Sequence, residues 1–260
     1  MILEAKNLEF SYTPEKVLFH DVSLSVNRGE ILAILGANGA GKSTLLNCLA
    51  NLLTPQKGEV LLKGRPVNKI SLRETARCVG YVPQSHRPAY GYQVRDFIVM
   101  GRAPYLGIFR QPGKEAYMLA DQVMDEMGIA HLAHRSYTDL SGGERQQVTI
   151  ARAMVQQPDL IMLDEPTNHL DYGNQQRMIH TIKRLADRGF GIIITSHMPD
   201  HVLLLDGKVG ILDDEGNFQV GVCGEMMKEE RLRSLYHVDI HLVYEPVVNR
   251  VVCVSGEGEK

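Results

Sequence analysis

Cysteine is scarce in this 260-residue sequence, and the four cysteines show no spacing typical of a metal site. Each lies among apolar neighbours: Cys48, Cys78, Cys223 and Cys253. A cysteine-based metal site would need closely spaced pairs. Isolated cysteines in apolar surroundings are usually small core residues. We therefore expect reduced core thiols in a cytosolic protein.

Long hydrophobic runs and an excess of charge of one sign are also missing. No run approaches the roughly 18 apolar residues of a membrane span. The first residues, MILEAKNLEF, carry charges where a signal peptide needs its apolar region. Any role at a membrane is therefore expected to depend on a partner. The net charge of −3 gives no overall reason to expect nucleic acid as a partner.

The hydrophobic pattern that is present predicts an α/β protein. The stretches ILEAKNLEFSY and VLFHDVSLSV alternate apolar and polar residues, which predicts half-buried strands of an N-terminal antiparallel part. Three short apolar runs, GEILAILGANG, LIMLDEP and GIIITSH, predict strands buried on both faces. With helices between them, these strands indicate a mostly parallel sheet. Ligands of such sheets bind beyond the carboxyl ends of the strands, where the polar residues of all three runs fall.

Helical spacing replaces the strand pattern from about residue 85 to residue 157, as in AYMLADQVMDEMG and ERQQVTIARAMVQQ. We interpret this region as a helical subdomain inserted into a domain that spans residues 1–225. After Gly224, EMMKEERLRSLYH predicts a short helix, VDIHLVYEPVVNRVVCV a β-hairpin, and SGEGEK a frayed polar tail. For this extension, 226–260, we favour a cover over the core rather than a regulatory or dimer contact.

The stretch GANGAGKS fits the pattern G-x-x-x-x-G-K-[ST], with a buried strand before it and a helix after it. Glycines let the backbone curl so that its amides face phosphate oxygens. Lys42 would reach the β- and γ-phosphates of a nucleoside triphosphate, and the Ser43 hydroxyl would bind Mg²⁺. The predicted nucleotide-binding residues of this loop are Gly36, Ala37, Asn38, Gly39, Ala40, Gly41, Lys42, Ser43 and Thr44.

Two adjacent carboxylates, Asp164 and Glu165, follow the buried strand in LIMLDEP. Buried carboxylates are costly unless a cation or a reaction uses them. We predict that Asp164 holds Mg²⁺ through water. Glu165 is predicted to point to the other side of the strand and polarise the water that attacks the γ-phosphate.

A second run of free backbone amides, LSGGERQQ, lies at the predicted start of a helix and also suits an anion. Together with GANGAGKS and LIMLDEP, the motif LSGGE resembles the ATP-binding subunits of ABC transporters over roughly residues 1–225. That family usually has Gln where this chain has Glu144. The resemblance implies that two copies meet head to tail and that Ser141, Gly142 and Gly143 bind the γ-phosphate held by the other copy.

The same resemblance implies roles for four further residues. Tyr12 would stack on adenine, and Gln84 would contact Mg²⁺ and the attacking water. Asp171, in TNHLD, would lie in the loop that crosses the dimer, where Asn168 and His169 replace the usual small pair. His197, in IIITSH, would bond the γ-phosphate. His169 and His201 are interpreted as structural or surface residues.

Two classes of function are compatible with this resemblance. A separate ATPase chain is typical of bacterial and archaeal importers, and VRDFIVMGRAPYLG and EPTNHLDYGNQ resemble the branch that serves iron–siderophore, haem and cobalamin uptake. The implied partners are a multi-span permease at the cytoplasmic face of the membrane and, indirectly, a substrate-binding protein. A molybdate or tungstate importer is one alternative, and a soluble ATPase of iron–sulfur cluster assembly is the other.

Overall fold

The computed structural model describes residues 1–13, 16–84, 90–107 and 110–256. The first residues of the predicted helical subdomain and the last four of the predicted polar tail lie outside these ranges. The strands are β1 (Leu3–Thr13), β2 (Lys16–Val26), β3 (Ile31–Leu35), β4 (Lys57–Leu62), β5 (Arg65–Pro66), β6 (Val79–Val82), β7 (Leu160–Leu163), β8 (Gly191–Ser196), β9 (Lys208–Leu212), β10 (Phe218–Val222), β11 (Ile240–Glu245) and β12 (Arg250–Ser255).

The helices include short 3₁₀ segments at 67–69, 100–105, 130–132 and 137–139. The α-helices are α1 (Lys42–Leu49), α2 (Leu72–Cys78), α3 (Val94–Val99), α4 (Lys114–Met127), α5 (Gly142–Val155), α6 (Tyr172–Asp187), α7 (Pro199–Leu205), α8 (Cys223–Met226) and α9 (Glu229–Tyr236). Every helix of the described chain falls short of the length and apolarity needed to cross a membrane.

The central sheet has the strand order β10-β9-β3-β8-β7-β6. All its pairings are parallel except that of β9 with β10. Strands β3, β7 and β8 are buried along their whole length because core residues cover both faces of the sheet. The predicted α/β class with a mostly parallel sheet is therefore confirmed. The three strands are adjacent, so their carboxyl ends lie side by side.

A second, antiparallel sheet of order β2-β1-β4-β5 is built largely from the N-terminal segment. Its apolar side chains and those of α1 form one core with the nearer face of the central sheet. The opposite face of the central sheet packs with α6, α7 and the helices α3–α5 in a second core. The loop that precedes α1 thus lies against the first of these cores, to which its residue Ala40 belongs.

The described residues between β6 and β7 form helices α3–α5 and 3₁₀ turns, with one isolated β-bridge and no sheet strand. This agrees with the helical character predicted for residues 85–157. The assignment of that segment as an inserted subdomain, with domain limits at 225 and 226, stays a prediction.

The C-terminal extension differs from the prediction in one respect. The predicted single helix is two helices, α8 and α9, separated at Met227 and Lys228. Met227 is buried, and Lys228 has an extended backbone that starts α9 ahead of the acidic pair Glu229 and Glu230. The break lets both short helices place apolar side chains in the same core. Strands β11 and β12 pair antiparallel as the predicted hairpin.

Candidate active site

The predicted phosphate loop connects the end of β3 to the start of α1. Gly41 has φ = 100° at the N-cap of α1, a conformation that suits glycine, and no side chain in the described part of the chain caps this helix. A Cβ on Gly36 would lie 2.6 Å from the carbonyl oxygen of Leu212. These two glycines let the backbone turn tightly and leave the first amides of α1 free for an anion.

Lys42 lies inside this loop and is buried, with 4% of its surface exposed. Its Nζ donates to the carbonyl oxygens of Gly36 (2.9 Å) and Ala37 (2.8 Å) and lies 3.3 Å from Glu165 Oε1. A buried ammonium group is tolerated only with such partners. The loop and the carboxylate therefore hold a positive charge where the sequence predicts phosphates.

Ser43 lies in the first turn of α1 and Asp164 follows β7, and the two residues meet at the sheet edge where β3, β8 and β7 end. Ser43 Oγ donates to Asp164 Oδ1 at 2.9 Å, and Thr195 Oγ1 donates to the same oxygen at 2.7 Å. Thr195 also accepts from the backbone amide of Glu165 at 2.9 Å. Hydroxyl and carboxylate oxygens are the ligands that Mg²⁺ uses beside substrate phosphates. The Ser43 hydroxyl and the Asp164 carboxylate therefore fit a Mg²⁺ ion.

Glu165 follows β7 in the left-handed conformation, with φ = 44°. This turn directs its carboxylate to a different set of partners from those of Asp164. Glu165 Oε2 accepts from Gln84 Nε2 and Asn168 Nδ2, each at 3.1 Å. His197 Nδ1 lies 3.3 Å from the same oxygen, in a geometry that makes no hydrogen bond. The structure thus brings the three residues predicted for catalysis together.

A cavity of about 550 Å³ opens in front of these groups, within the size range of small-molecule sites. Tyr12 stands at its edge, 68% exposed, with its hydroxyl 3.0 Å from Thr44 Oγ1. Its ring is accessible to a planar base. The described lining residues are Tyr12, Leu18, Asn38, Gly39, Gly41, Lys42, Ser43, Thr44, Gln84, Glu165, Asn168 and His169.

The predicted second anion site lies elsewhere. No described residue from 140 to 144 lines the cavity, and neither does Asp171. Ser141 caps α5 and Asp171 caps α6. The two caps are neighbours, because a Cβ on Gly143 would meet the Asn174 side chain, which donates to Asp171. Ser141, Gly142 and Asp171 therefore form one exposed surface, separate from the phosphate loop of the same chain, and Gly143 is buried beside them.

Glu144, which stands where the family usually has glutamine, helps to cap the start of α5. Its carboxylate accepts from the Ser141 amide at 2.8 Å while its own amide donates to Ser141 Oγ, so the two residues form a capping box. The backbone hydrogen bond to Ser141 lowers the pKa of Glu144 below its usual value. Glu144 also lies 3.1 Å from Arg135.

Three residues of the site were missed from the sequence. Thr195, in IIITSH, has no predicted role, although its position at the end of a parallel strand could pair it with Asp164. Asn168 has no predicted role beyond replacing, with His169, the usual small pair of its loop, and His169 is interpreted as a structural or surface residue, yet both line the cavity. His201, for which a structural and a surface position are both open from the sequence, is buried with its Nδ1 3.1 Å from Thr167 Oγ1, and burial lowers its pKa.

Comparisons with known proteins agree with this geometry. The family described as ABC transporter matches residues 19–168. The molybdate import ATP-binding protein MolC of Haemophilus influenzae is 35% identical, with 91% of this chain and 88% of MolC covered. The hemin import ATP-binding protein HmuV of Hahella chejuensis is 32% identical, with 91% and 93% covered. A solved structure of a metal-chelate type ABC transporter, inward-facing, matches with a TM-score of 0.88, 32% identity and 98% of each chain covered.

Proposed function

This chain belongs to the family of ABC transporter ATP-binding proteins, which hydrolyse ATP, and we propose that it powers an importer as a head-to-tail homodimer. One observation carries the proposal. The phosphate loop and Glu165 line one cavity, whereas Ser141, Gly142 and Gly143 do not. A second anion surface that cannot serve its own cavity is suited to the γ-phosphate in a second copy.

In the proposed dimer, each site combines the phosphate loop of one copy with the Ser141 surface of the other. The residues around the phosphate loop would have different roles in hydrolysis. The loop amides and Lys42 would hold the phosphates, and Ser43, Gln84 and, through water, Asp164 would hold Mg²⁺, which would offset phosphate charge. Glu165 accepts a proton from the attacking water, and His197 donates to the γ-phosphate. Tyr12 stacks on adenine. Closure around two nucleotides and reopening after hydrolysis then give the two states that drive transport.

A metal chelate of the iron–siderophore, haem or cobalamin type is the cargo we favour. The hemin import relative and the metal-chelate type structural neighbour both support this class. Molybdate or tungstate is the second candidate, because MolC is at least as similar in sequence. Uptake of ferric siderophore, hemin and molybdate by cells that carry the intact or the deleted gene would distinguish them.

The proposed partners are a multi-span permease and, through it, a substrate-binding protein, so the chain would act at the cytoplasmic face of the membrane. The stretch GRAPYLG is the proposed permease contact. Its first five residues lie in the 3₁₀ helix Met100–Tyr105, whose Arg102 donates to the Val155 carbonyl and whose Pro104 carbonyl accepts from Arg73 and Arg77. Exposed Ala103 lines an adjacent cavity of about 420 Å³ between this helix and α5.

Ala103→Glu is expected to weaken the permease contact at least about tenfold, because a carboxylate buried without a partner at an interface is costly. ATP affinity should be unchanged, since Ala103 is not among the residues that line the nucleotide cavity. Co-purification with the permease and equilibrium ATP binding are the measurements. Ala130→Glu, at an exposed alanine of another 3₁₀ helix, is the matched control. Reduced ATP affinity with intact permease binding would contradict the assignment.

The head-to-tail arrangement is tested by a mixed pair of differently tagged chains, one Lys42→Ala and one Ser141→Arg. Each substitution, present in both copies, should damage both sites. If the Ser141 surface serves the neighbour, both defects of the mixed pair fall in one site and the other site is whole. We then expect about half of the wild-type amplitude in single-turnover hydrolysis, since one of two equivalent sites works.

The opposite geometry gives a different result. If Ser141 served the phosphate loop of its own chain, each site of the mixed pair would carry one defect. A mixed pair as inactive as both parents, with pairing and ATP binding verified, would overturn the head-to-tail proposal.

A further inference from the structure

His197 lies between β8 and α7, and its imidazole contributes little to holding this segment in place. Its Nδ1 is buried and makes no hydrogen bond to any described residue, although Glu165 Oε2 is 3.3 Å away. The neighbouring Ser196 Oγ accepts from the Met198 amide at 3.0 Å, which shapes the backbone around His197. The direction of the imidazole therefore depends on how the backbone of this segment is fixed.

The backbone of His197 is fixed by the C-terminal extension. Tyr236, the last residue of α9, donates its hydroxyl to the His197 carbonyl oxygen at 3.0 Å. Burial raises the pKa of the Tyr236 phenol above its usual value, with further contributions from Cys253 and the Glu165 carboxylate. The hydroxyl thus keeps its proton at any physiological pH. Leu232 and Leu235 anchor the same helix in the core.

The hairpin of the extension holds the other end of the segment. Asp200, in the first turn of α7, accepts from the backbone amide of Cys253 in β12 at 2.9 Å. Arg250 lies 3.5 Å from the same carboxylate oxygen. Residues 197–200 are thus contacted by α9 on one side and by β12 on the other. An extension that only covered the core would not need polar contacts to this particular segment.

We propose that Tyr236 is a positioning residue for ATP hydrolysis, whose hydroxyl holds the His197 carbonyl so that the imidazole faces Glu165 and the γ-phosphate. The proposal rests on the proposed role of His197 in hydrolysis. It gives the C-terminal extension a function in turnover beyond covering the core. Tyr236 itself is not among the residues that line the nucleotide cavity, so it would act only through His197.

Tyr236→Phe removes the hydroxyl and keeps the buried ring. Loss of one hydrogen bond that orients a reacting group should lower the single-turnover rate constant for ATP hydrolysis about three- to tenfold. Equilibrium ATP binding should be unchanged within about twofold, because the phosphate loop is untouched. Tyr244→Phe is the matched control, because Tyr244 lies in the same extension and its hydroxyl donates only to Asn249 among the described residues. It should hydrolyse ATP at the wild-type rate.

A double-mutant cycle separates positioning from stability. In a His197→Ala background, Tyr236→Phe should cause no further loss of rate, because the group it orients is gone. The same fold-loss in both backgrounds, or a wild-type rate for Tyr236→Phe, would overturn the proposal. If His197→Ala alone hydrolyses ATP normally, the role of His197 fails, and the inference about Tyr236 fails with it. If His197→Ala is impaired and Tyr236→Phe is not, only the inference fails.

Discussion

Glu165→Gln is expected to bind ATP while hydrolysing it at least about a hundredfold more slowly, because a glutamine side chain cannot accept the proton of the attacking water. The substitution keeps the size and shape of the side chain. ATP-bound dimers should then accumulate, since hydrolysis is the step that reopens them. Size-exclusion chromatography with and without ATP measures dimer formation, and single-turnover hydrolysis measures the rate.

Glu165→Gln should also change the stability of the nucleotide-free protein. Glu165 Oε2 accepts from Gln84 and Asn168, and Oε1 lies beside the Lys42 ammonium group. An amide has one oxygen and one NH₂ group. The oxygen can accept either from Gln84 and Asn168 or from Lys42, and the NH₂ group must then face the remaining donors. Lys42 therefore loses its ionic partner, and the free energy of unfolding of the nucleotide-free variant should fall by about 1–3 kcal/mol.

Glu126→Gln is the control for this experiment, because it makes the same chemical change at a surface ion pair with Arg188. It should leave binding, dimer formation and hydrolysis as in the wild type. The base role of Glu165 would be refuted by normal hydrolysis in Glu165→Gln. It would also be refuted by a variant that never forms dimers under conditions in which the wild type forms them transiently.

Much of the site could be predicted because it is built on strand ends. The apolar runs before Gly36, Asp164 and His197 identified three buried strands, and parallel strands place their carboxyl ends at one edge of a sheet. In the structure these strands are neighbours in the order β3-β8-β7. The convergence of Lys42, Ser43 and Asp164 follows from sequence pattern and sheet geometry alone.

Other features depend on contacts that no local pattern encodes. Glu165 was expected to diverge from Asp164 by strand alternation, but β7 ends at Leu163 and the left-handed backbone of Glu165 sets its direction. Thr195 joins Asp164 to the Glu165 amide only because β7 and β8 are paired. Tyr236 reaches His197 from 39 residues away along the chain. Such tertiary hydrogen bonds follow from packing rather than from hydrophobic periodicity.

Lys42→Ala is expected to weaken ATP binding and hydrolysis together, unlike Glu165→Gln. The substitution removes a buried ammonium group that would contact the β- and γ-phosphates, and charge-assisted hydrogen bonds contribute about 1.5–3 kcal/mol each. ATP affinity should therefore fall about tenfold or more. Loss of one electrostatic stabiliser of the transition state costs on the order of a hundredfold in rate as well.

Lys42→Ala also leaves polar groups without a partner, so the folded state of the variant needs a control of its own. The Gly36 and Ala37 carbonyl oxygens lose a donor, and the buried Glu165 loses its ionic partner, so the folded state must be verified by thermal unfolding. Lys57→Ala removes an exposed lysine paired with Glu9 and should retain wild-type affinity and rate. Equilibrium ATP binding and single-turnover hydrolysis by the purified chain are the measurements. A folded Lys42→Ala protein with near-normal affinity and turnover would contradict the assignment of residues 36–44 as the phosphate loop.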